Sequence, residues 1–483
     1  MRIAIIGAGI AGLTAAYEIH KVAPDAHVDV FEAEARVGGK TRTVPFDSGP
    51  MDVGAEAFLA RNNDIVDFFT ELGLADQMVG PSGLRSRVYA QDSLQPIPQG
   101  GVMGIPSSAE PVKHLVSAET AARIDAESTA EPIDWQVGQD YSVGRMVRER
   151  YGDEVADRVV SALLGGVYSC SADDLGIRAT VPQLAEALDA LAESGEPVTL
   201  SAAVKSIEAE RAERARERSA DNDGGVGQPA GPPFRAFRGG YADVYDTLAE
   251  KCGANIQIDT FISGVEPHKK GGYTVKGGGE AAQEPYDRVL VATPAPTASR
   301  LLKKVAPDAA EAMRPIKLAS SAVVGLKIDS DTDSAGNHLP ENSGLLVALD
   351  QGGVHAKAFT FSSRKWPHLA ERLDGGVIVR ASFGRFGDDA IVRADEDDLV
   401  DYALDDLKTI TGFDARDAGV SEIFTQRWFG GIPRFDERHL GYVKAARAAL
   451  ADVPGIDVTG AWAGGVGIPN VVADARAAAR RIL

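Results

Sequence analysis

The stretch from Arg2 to Glu32, RIAIIGAGIAGLTAAYEIHKVAPDAHVDVFE, constrains the fold more than any other part of the chain. RIAIIG is a short β-branched run of the kind buried in a parallel strand. Gly7, Gly9 and Gly12 follow in a G-x-G-x-x-G spacing and open an alanine-rich amphipathic helix. HVDVFE then reads as a second strand, and its Glu32 stands 20 residues beyond Gly12. Gly7 permits a tight turn, Gly9 lets a pyrophosphate reach the backbone, and Gly12 lets helix and strand pack closely. The backbone of Ala8, Ile10 and Ala11 completes the turn, where unpaired N–H groups and the helix dipole favour a phosphate. Glu32 is placed to accept hydrogen bonds from a ribose. Strand, glycines, helix and acid together predict a dinucleotide-binding unit of a Rossmann-like α/β domain.

The continuation EAEARVGGKTRT places Ala33 and Arg36 before a second glycine pair, Gly38 and Gly39, with Lys40 after it. Such a loop suits a chain that wraps a second time around a diphosphate. The motif Glu-x-x-x-Arg-x-Gly-Gly after the second strand resembles the flavin amine-oxidase superfamily. MDVGAEAF, with Gly54, Ala55, Glu56 and Ala57, is similar to that superfamily's next flavin-contacting loop. The resemblance implies FAD as the cofactor.

The tail GAWAGGVGIPNVVADARAAARRIL sets glycines and a proline before an alanine-rich helix. In the resembling superfamily this segment lies under the flavin ring, which assigns Gly465, Val466, Gly467 and Ile468 to the cofactor. The helix N-terminus would then stabilise negative charge on the reduced ring. Between the two ends, the pattern from about Pro111 to Leu200 is mostly helical. IEAERAERARERSADNDGGVGQPAGPP is a charged helix running into a Gly/Pro/Asp linker. NIQIDTFISGVEP carries two strands with Val265 between them; the resemblance gives Val265's backbone to the adenine. Strand-like runs between 300 and 425 predict a large, mainly antiparallel sheet, and RWFGGIPRF brings Trp428 back to the cofactor.

The expected organisation is a discontinuous FAD domain (1–78, 234–297 and 426–483), a mainly antiparallel substrate domain (79–106 and 298–425), a helical subdomain (107–204) and a charged linker (205–233). Two cysteines rule out a disulfide framework and suit a reducing compartment. A net charge of −20 argues against nucleic acid. The eight histidines show no metal-ligand spacing, and no apolar run reaches the length of a membrane span. A cytoplasmic protein is expected.

Within the superfamily, PIPQGGVMGIPSS, LLGGVYSCSADDLGIRATVPQL, FTFSSRKWPH, RWFGGIPRF and GVGIPN resemble recurring segments of the oxygen-dependent porphyrinogen oxidases. The chain is most similar to the bacterial coproporphyrinogen III oxidase branch. It departs from the family pattern at Ser169-Cys170-Ser171 and at Pro433-Arg434-Phe435. The resemblance implies a six-electron oxidation of a porphyrinogen. Flavin N5 would accept hydride, O2 would reoxidise the cofactor to give H2O2, and no protein acid or base is named. A ferrochelatase is a candidate partner for the product. Four propionates on such a substrate call for local positive charge. Arg85, Arg87 and Arg178 are candidates, with Lys113 and Arg434 beside them. A protoporphyrinogen IX oxidase, an amine oxidase, a carotenoid-type desaturase and a flavin-binding sensor or scaffold are the alternatives. Against the amine oxidases, Val323 stands where their flavin-facing lysine is expected.

Overall fold

Arg2–Ile6 lies at the centre of a five-stranded parallel sheet, and its four apolar residues are buried. The computed structural model describes residues 1–61, 63–222 and 233–483. Across the sheet the order is Asn255–Gln257, His27–Phe31, Arg2–Ile6, Arg288–Val291, Ile456–Val458. Start, middle and end of the chain therefore meet in one sheet. The period-2 alternation of each strand feeds two cores. Ile3, Ile5, Val28, Val30 and Leu290 face the helices Ile10–Val22, Ala242–Lys251 and Ile468–Ile482. Ala4, Ile6, Phe31, Val289 and Val291 face Ala295–Leu302, Pro307–Met313 and His439–Ala451.

A second sheet of seven strands runs Val420–Pro433, Leu318–Ile328, Val377–Phe383, Ala358–Thr360, Gly344–Val347, Arg87–Ala90, Ser93–Pro96. Its pairings are antiparallel except between Gly344–Val347 and Arg87–Ala90. One face packs on the amphipathic helix Glu396–Thr411 through Val324, Leu326, Val379, Ala381 and Phe359. The other face carries Val323, Ser382 and Arg380, which share it by cross-strand register.

A helical layer from Ala118 to Asn222 closes the third side around Val147, Tyr151, Leu164, Leu184 and Leu200. The expected linker at 205–233 begins inside a 23-residue helix, Leu200–Asn222. Its first turns are buried through Leu200, Ala203, Val204 and Ile207. Glu208 accepts the Gly101 N–H at 2.6 Å, and Arg211 donates to the Gly101 carbonyl at 2.8 Å. The charge run is thus the exposed continuation of a packed helix; residues 223–232 lie outside the described residues. Two other expected boundaries fall inside elements. Residues 297 and 298 belong to Ala295–Leu302, which packs on the parallel sheet. Residue 426 lies within Val420–Pro433, so Trp428 is carried by the antiparallel sheet. Composition marks loops, whereas these junctions run through continuous hydrogen-bonded elements.

Candidate active site

The first helix and the last lie side by side. Buried Glu18 receives Arg476 at 3.0 Å and Arg480 at 2.7 Å, locking the two together. Both follow parallel strands, and the Ile482 carbonyl accepts from Arg288 at the start of its strand. Both N-termini therefore open at the same edge of the sheet. Gly9 and Gly467 occupy the cap positions, and no side chain caps either helix. Neither first turn carries an acid. Two uncapped helix ends side by side make a ready anion-binding edge.

The glycines divide by what demands them. A Cβ at residue 12 would stand 1.9 Å from the Gly7 carbonyl oxygen, so the strand–helix contact itself requires glycine. A Cβ at residue 9 would meet nothing nearer than the Gly39 Cα, at 3.6 Å. The protein alone does not need a glycine there; a group lying against that backbone does. Gly38 bonds the Ala8 carbonyl at 2.9 Å and forms a parallel bridge with Gly9, drawing the second glycine loop onto the first. Arg36 holds that loop from within by donating to the Val37, Gly39 and Thr41 carbonyls. It organises the loop's backbone. Lys40 donates to the Gly430 and Gly431 carbonyls. Burial among surrounding protein pushes its ammonium down to about 8, although the side chain as a whole keeps an exposed surface. One Glu32 oxygen accepts the Ala8 N–H at 2.8 Å and the other the Glu34 N–H at 3.0 Å. Ala33 is exposed beside it.

Residues 54–57 form the opposite rim. Gly54 is wedged against the Lys40 carbonyl and Trp428, whose Nε1 donates to the Val53 carbonyl at 3.0 Å. Arg380 donates to the Gly54 carbonyl at 2.9 Å, which puts Val323's face of the sheet toward this loop. Glu56 is anchored by Lys365 at 2.8 Å and Arg380 at 3.4 Å. Burial alone would raise its carboxyl, but the two cations outweigh it and hold it at about 2. Glu56 thus ties the rim to the antiparallel sheet. Gly465, Val466, Ala55 and Ala57 all keep partial exposure. Val265 lies within Gly264–Pro267 rather than between strands, with its side chain buried in the core beside Phe31.

The substrate candidates separate widely. Arg178 is committed: it grips both oxygens of Asp189 at 2.7 Å and the Gly138 and Gln139 carbonyls. Arg87 pairs with Leu345, whose side chain faces the helix-covered side, so it points away from the cleft. Arg85 is exposed, and Lys113 is paired with Glu110 on the surface. Arg434 lies over the Phe386 ring at 4.6 Å but is paired with Asp174 at 3.4 Å. Four other basic residues lie near the antiparallel sheet: Arg380 and Lys365, held by Glu56, and Arg385 and Lys357, which make no ion pair among the described residues. Only Arg380 left a trace in the sequence, as a lone cation inside the apolar strand VIVRASF.

Family comparison agrees with the cleft. Residues 10–483 match the model of the flavin containing amine oxidoreductases. The chain belongs to that family. It is an oxidoreductase, and its cofactor is FAD. The residues present fit that group: two glycine loops in contact, uncapped helix ends and an acid at the ribose position. A coproporphyrinogen III oxidase of Mycobacterium tuberculosis (strain ATCC 25618 / H37Rv) is 37% identical over 480 residues, covering 99% of this chain and 96% of the relative. One from Staphylococcus aureus is 27% identical, covering 100% and 98%. A crystal structure from Exiguobacterium sp. 255-15, provisionally named a protoporphyrinogen oxidase, superposes with a TM-score of 0.82 at 25% identity, covering 100% and 98%. Among the described residues no helix is long and apolar enough to cross a membrane, and no His/Cys/Asp/Glu group could hold a metal ion.

Proposed function

We propose that this chain oxidises coproporphyrinogen III to coproporphyrin III in haem biosynthesis, with O2 as electron acceptor and H2O2 as by-product. The observation that carries the reading is full-length similarity to coproporphyrinogen III oxidases, in a flavin-family chain whose first and last helices lie side by side. FAD, when bound, supplies the two-electron acceptor chemistry, which no side chain can provide. The chain's own residues do the rest. Gly7, Gly9 and Gly12 with the backbone of Ala8, Ile10 and Ala11, and the loop of Arg36, Gly38, Gly39 and Lys40, receive the diphosphate. Glu32 and Ala33 hold the ribose, and Val265's backbone takes the adenine. Gly465, Val466, Gly467 and Ile468 present helix N–H groups where negative charge must be accommodated. Gly54, Ala55, Glu56, Ala57 and Trp428 close the opposite rim and exclude water.

An amine oxidase reading is disfavoured by Val323, which shares the cleft-facing side of the sheet with Arg380 but offers no amine to hold a water. A porphyrin product leaving a cytoplasmic enzyme calls for a ferrochelatase as the next acceptor. Incubating the FAD-loaded protein with coproporphyrinogen III in air is expected to yield porphyrin fluorescence and peroxide, faster than with protoporphyrinogen IX. Oxidation of amines alone, or no turnover of either porphyrinogen, would overturn the proposal.

A further inference from the structure

Where the helical layer meets the antiparallel sheet, two basic side chains form no ion pair among the described residues, although the charge of Asp388 bears on Arg385 from three residues along. Arg385 follows the strand Val377–Phe383. One terminal nitrogen donates to the Val347 carbonyl at 3.2 Å, and its Nε is buried without a hydrogen-bond partner. Lys357 is only 6% exposed. Its ammonium donates to Ser169 Oγ at 2.6 Å and to the Gly384 carbonyl at 2.7 Å. Burial, with the charge of Arg385 beside it, pushes Lys357 down to about 7. Buried charges are normally paired, because an unpaired one loses its hydration without return. In a chain of net charge −20, two adjacent basic groups with no carboxylate bonded to either point to an anion supplied from outside. Arg434, by contrast, already has Asp174.

Helix Ser161–Tyr168 packs closely against this wall, and its glycines allow the approach. A Cβ on Gly165 would lie 3.7 Å from Arg385 Nε, and one on Gly166 3.3 Å from the Leu346 side chain. Val167, next in line, is 45% exposed. Tyr168, Leu346 and Phe386 pack around one apolar cluster together with Val466, which comes from the loop before the C-terminal helix. Arg385 is half-buried, so part of it stays open beside this contact. Lys357 has a second effect. Ser169 adopts φ +51, a left-handed conformation that a non-glycine residue rarely holds. Lys357 on its hydroxyl and the Phe386 N–H on its carbonyl, at 2.7 Å, keep it there.

We propose that Arg385, backed by Lys357, receives a carboxylate of the substrate on the wall between the helical layer and the antiparallel sheet. This rests on the porphyrinogen reading, under which the carboxylate is a propionate. Arg385 touches the carboxylate; Lys357 is a positioning residue that adds charge behind it and fixes the Ser169 turn. A guanidinium supplies two parallel donors to a carboxylate, so losing it should cost tenfold or more in affinity.

The test is fluorescence titration of the FAD-loaded protein with coproporphyrin III and with its tetramethyl ester. The wild type is expected to prefer the acid. Arg385→Gln should raise the Kd for the acid about tenfold or more and leave the ester unchanged. Arg385→Lys, which keeps the charge but loses the fork, should fall between. Lys357→Met should weaken acid binding less than Arg385→Gln. The visible flavin spectrum of each variant reports an intact cleft, and Arg385→Lys decides the matter if Arg385→Gln does not fold. An unchanged acid Kd in both Arg385 variants, or no preference for acid over ester in the wild type, would sink the proposal. A wild type that binds the acid through Arg385 yet oxidises no porphyrinogen would overturn the proposed reaction while leaving this site standing.

Discussion

The two sides of the cleft are made of different material. The proposed cofactor side is backbone: Gly9, Gly39, Gly465 and Gly467, with N–H groups left free by uncapped helices. The opposite wall is long side chains, Lys357, Arg380 and Arg385, delivered from strands and turns of a second sheet. A backbone surface demands small residues at fixed spacing, because one added methyl closes it. A side-chain surface can be reached from many backbone positions, so no spacing is imposed.

The sharpest way to break this contrast is at the glycines. Gly12→Ala places a carbon 1.9 Å from the Gly7 carbonyl, where the turn after the first strand packs on its helix. We expect a cost above about 4 kcal/mol and little folded protein. Gly9→Val starts from a Cβ 3.6 Å from its neighbour, an ordinary contact. That variant should keep its far-UV circular dichroism but purify colourless. A yellow Gly9→Val protein would place the diphosphate elsewhere.

The same contrast explains what could be read from the sequence. The glycine loops, Glu32 and the C-terminal turn lie within short windows whose geometry is local, and the two termini do meet at one edge of the parallel sheet. The wall was opaque. Ser169, Leu346, Lys357 and Arg385 are brought together by helix and sheet packing across more than two hundred residues. Arg178, a candidate anion receptor by residue type, sits one helix away from Asp189, and no local pattern pairs the two. Arg87 looked well placed beside a proline-rich loop, yet strand register turns it to the covered face. Register and pairing are tertiary facts, and residue type alone does not carry them.

Asp52 lies where the two sides join and sharpens the comparison through pH. Its carboxylate accepts Thr43 Oγ1 at 2.6 Å and the Tyr241 N–H at 3.0 Å, with Arg380 and Glu56 as its charged neighbours. Burial outweighs these bonds and pushes it up to about 7. Between the unfolded value near 4 and 7, the folded chain holds a proton that the unfolded chain releases. Stability from this group is therefore complete below about pH 4 and is lost as pH rises to 7. Glu56 acts oppositely: its contribution is present above about pH 4 and is lost as pH falls toward 2. Asp52→Asn keeps an acceptor for both donors but cannot ionise. It should match the wild type near pH 4 and exceed it at pH 8, by at most about 4 kcal/mol for three units. Thermal melts across that range check the sign; equal melting at pH 8 would mean the carboxyl is not held protonated.

Arg178 gives the smallest expected effect and tests the wall by exclusion. Its guanidinium bridges Asp189, itself bonded to Trp135 Nε1 at 2.8 Å, to the carbonyls of the 138–139 turn. These contacts hold the helix Pro182–Ser194 against the loop that precedes Val143–Tyr151. Arg178 and Asp189 are half-buried, so solvent screens part of the attraction. Arg178→Ala should lower stability by about 1–2 kcal/mol, read as a modest drop in Tm, and leave the KM for a porphyrinogen within about twofold. The contrast with Arg385 is then direct: one arginine is spent on an aspartate of its own layer, the other forms no ion pair among the described residues. A large rise in KM for Arg178→Ala at unchanged Tm would move the anion site to the helical layer and reverse the assignment of the two.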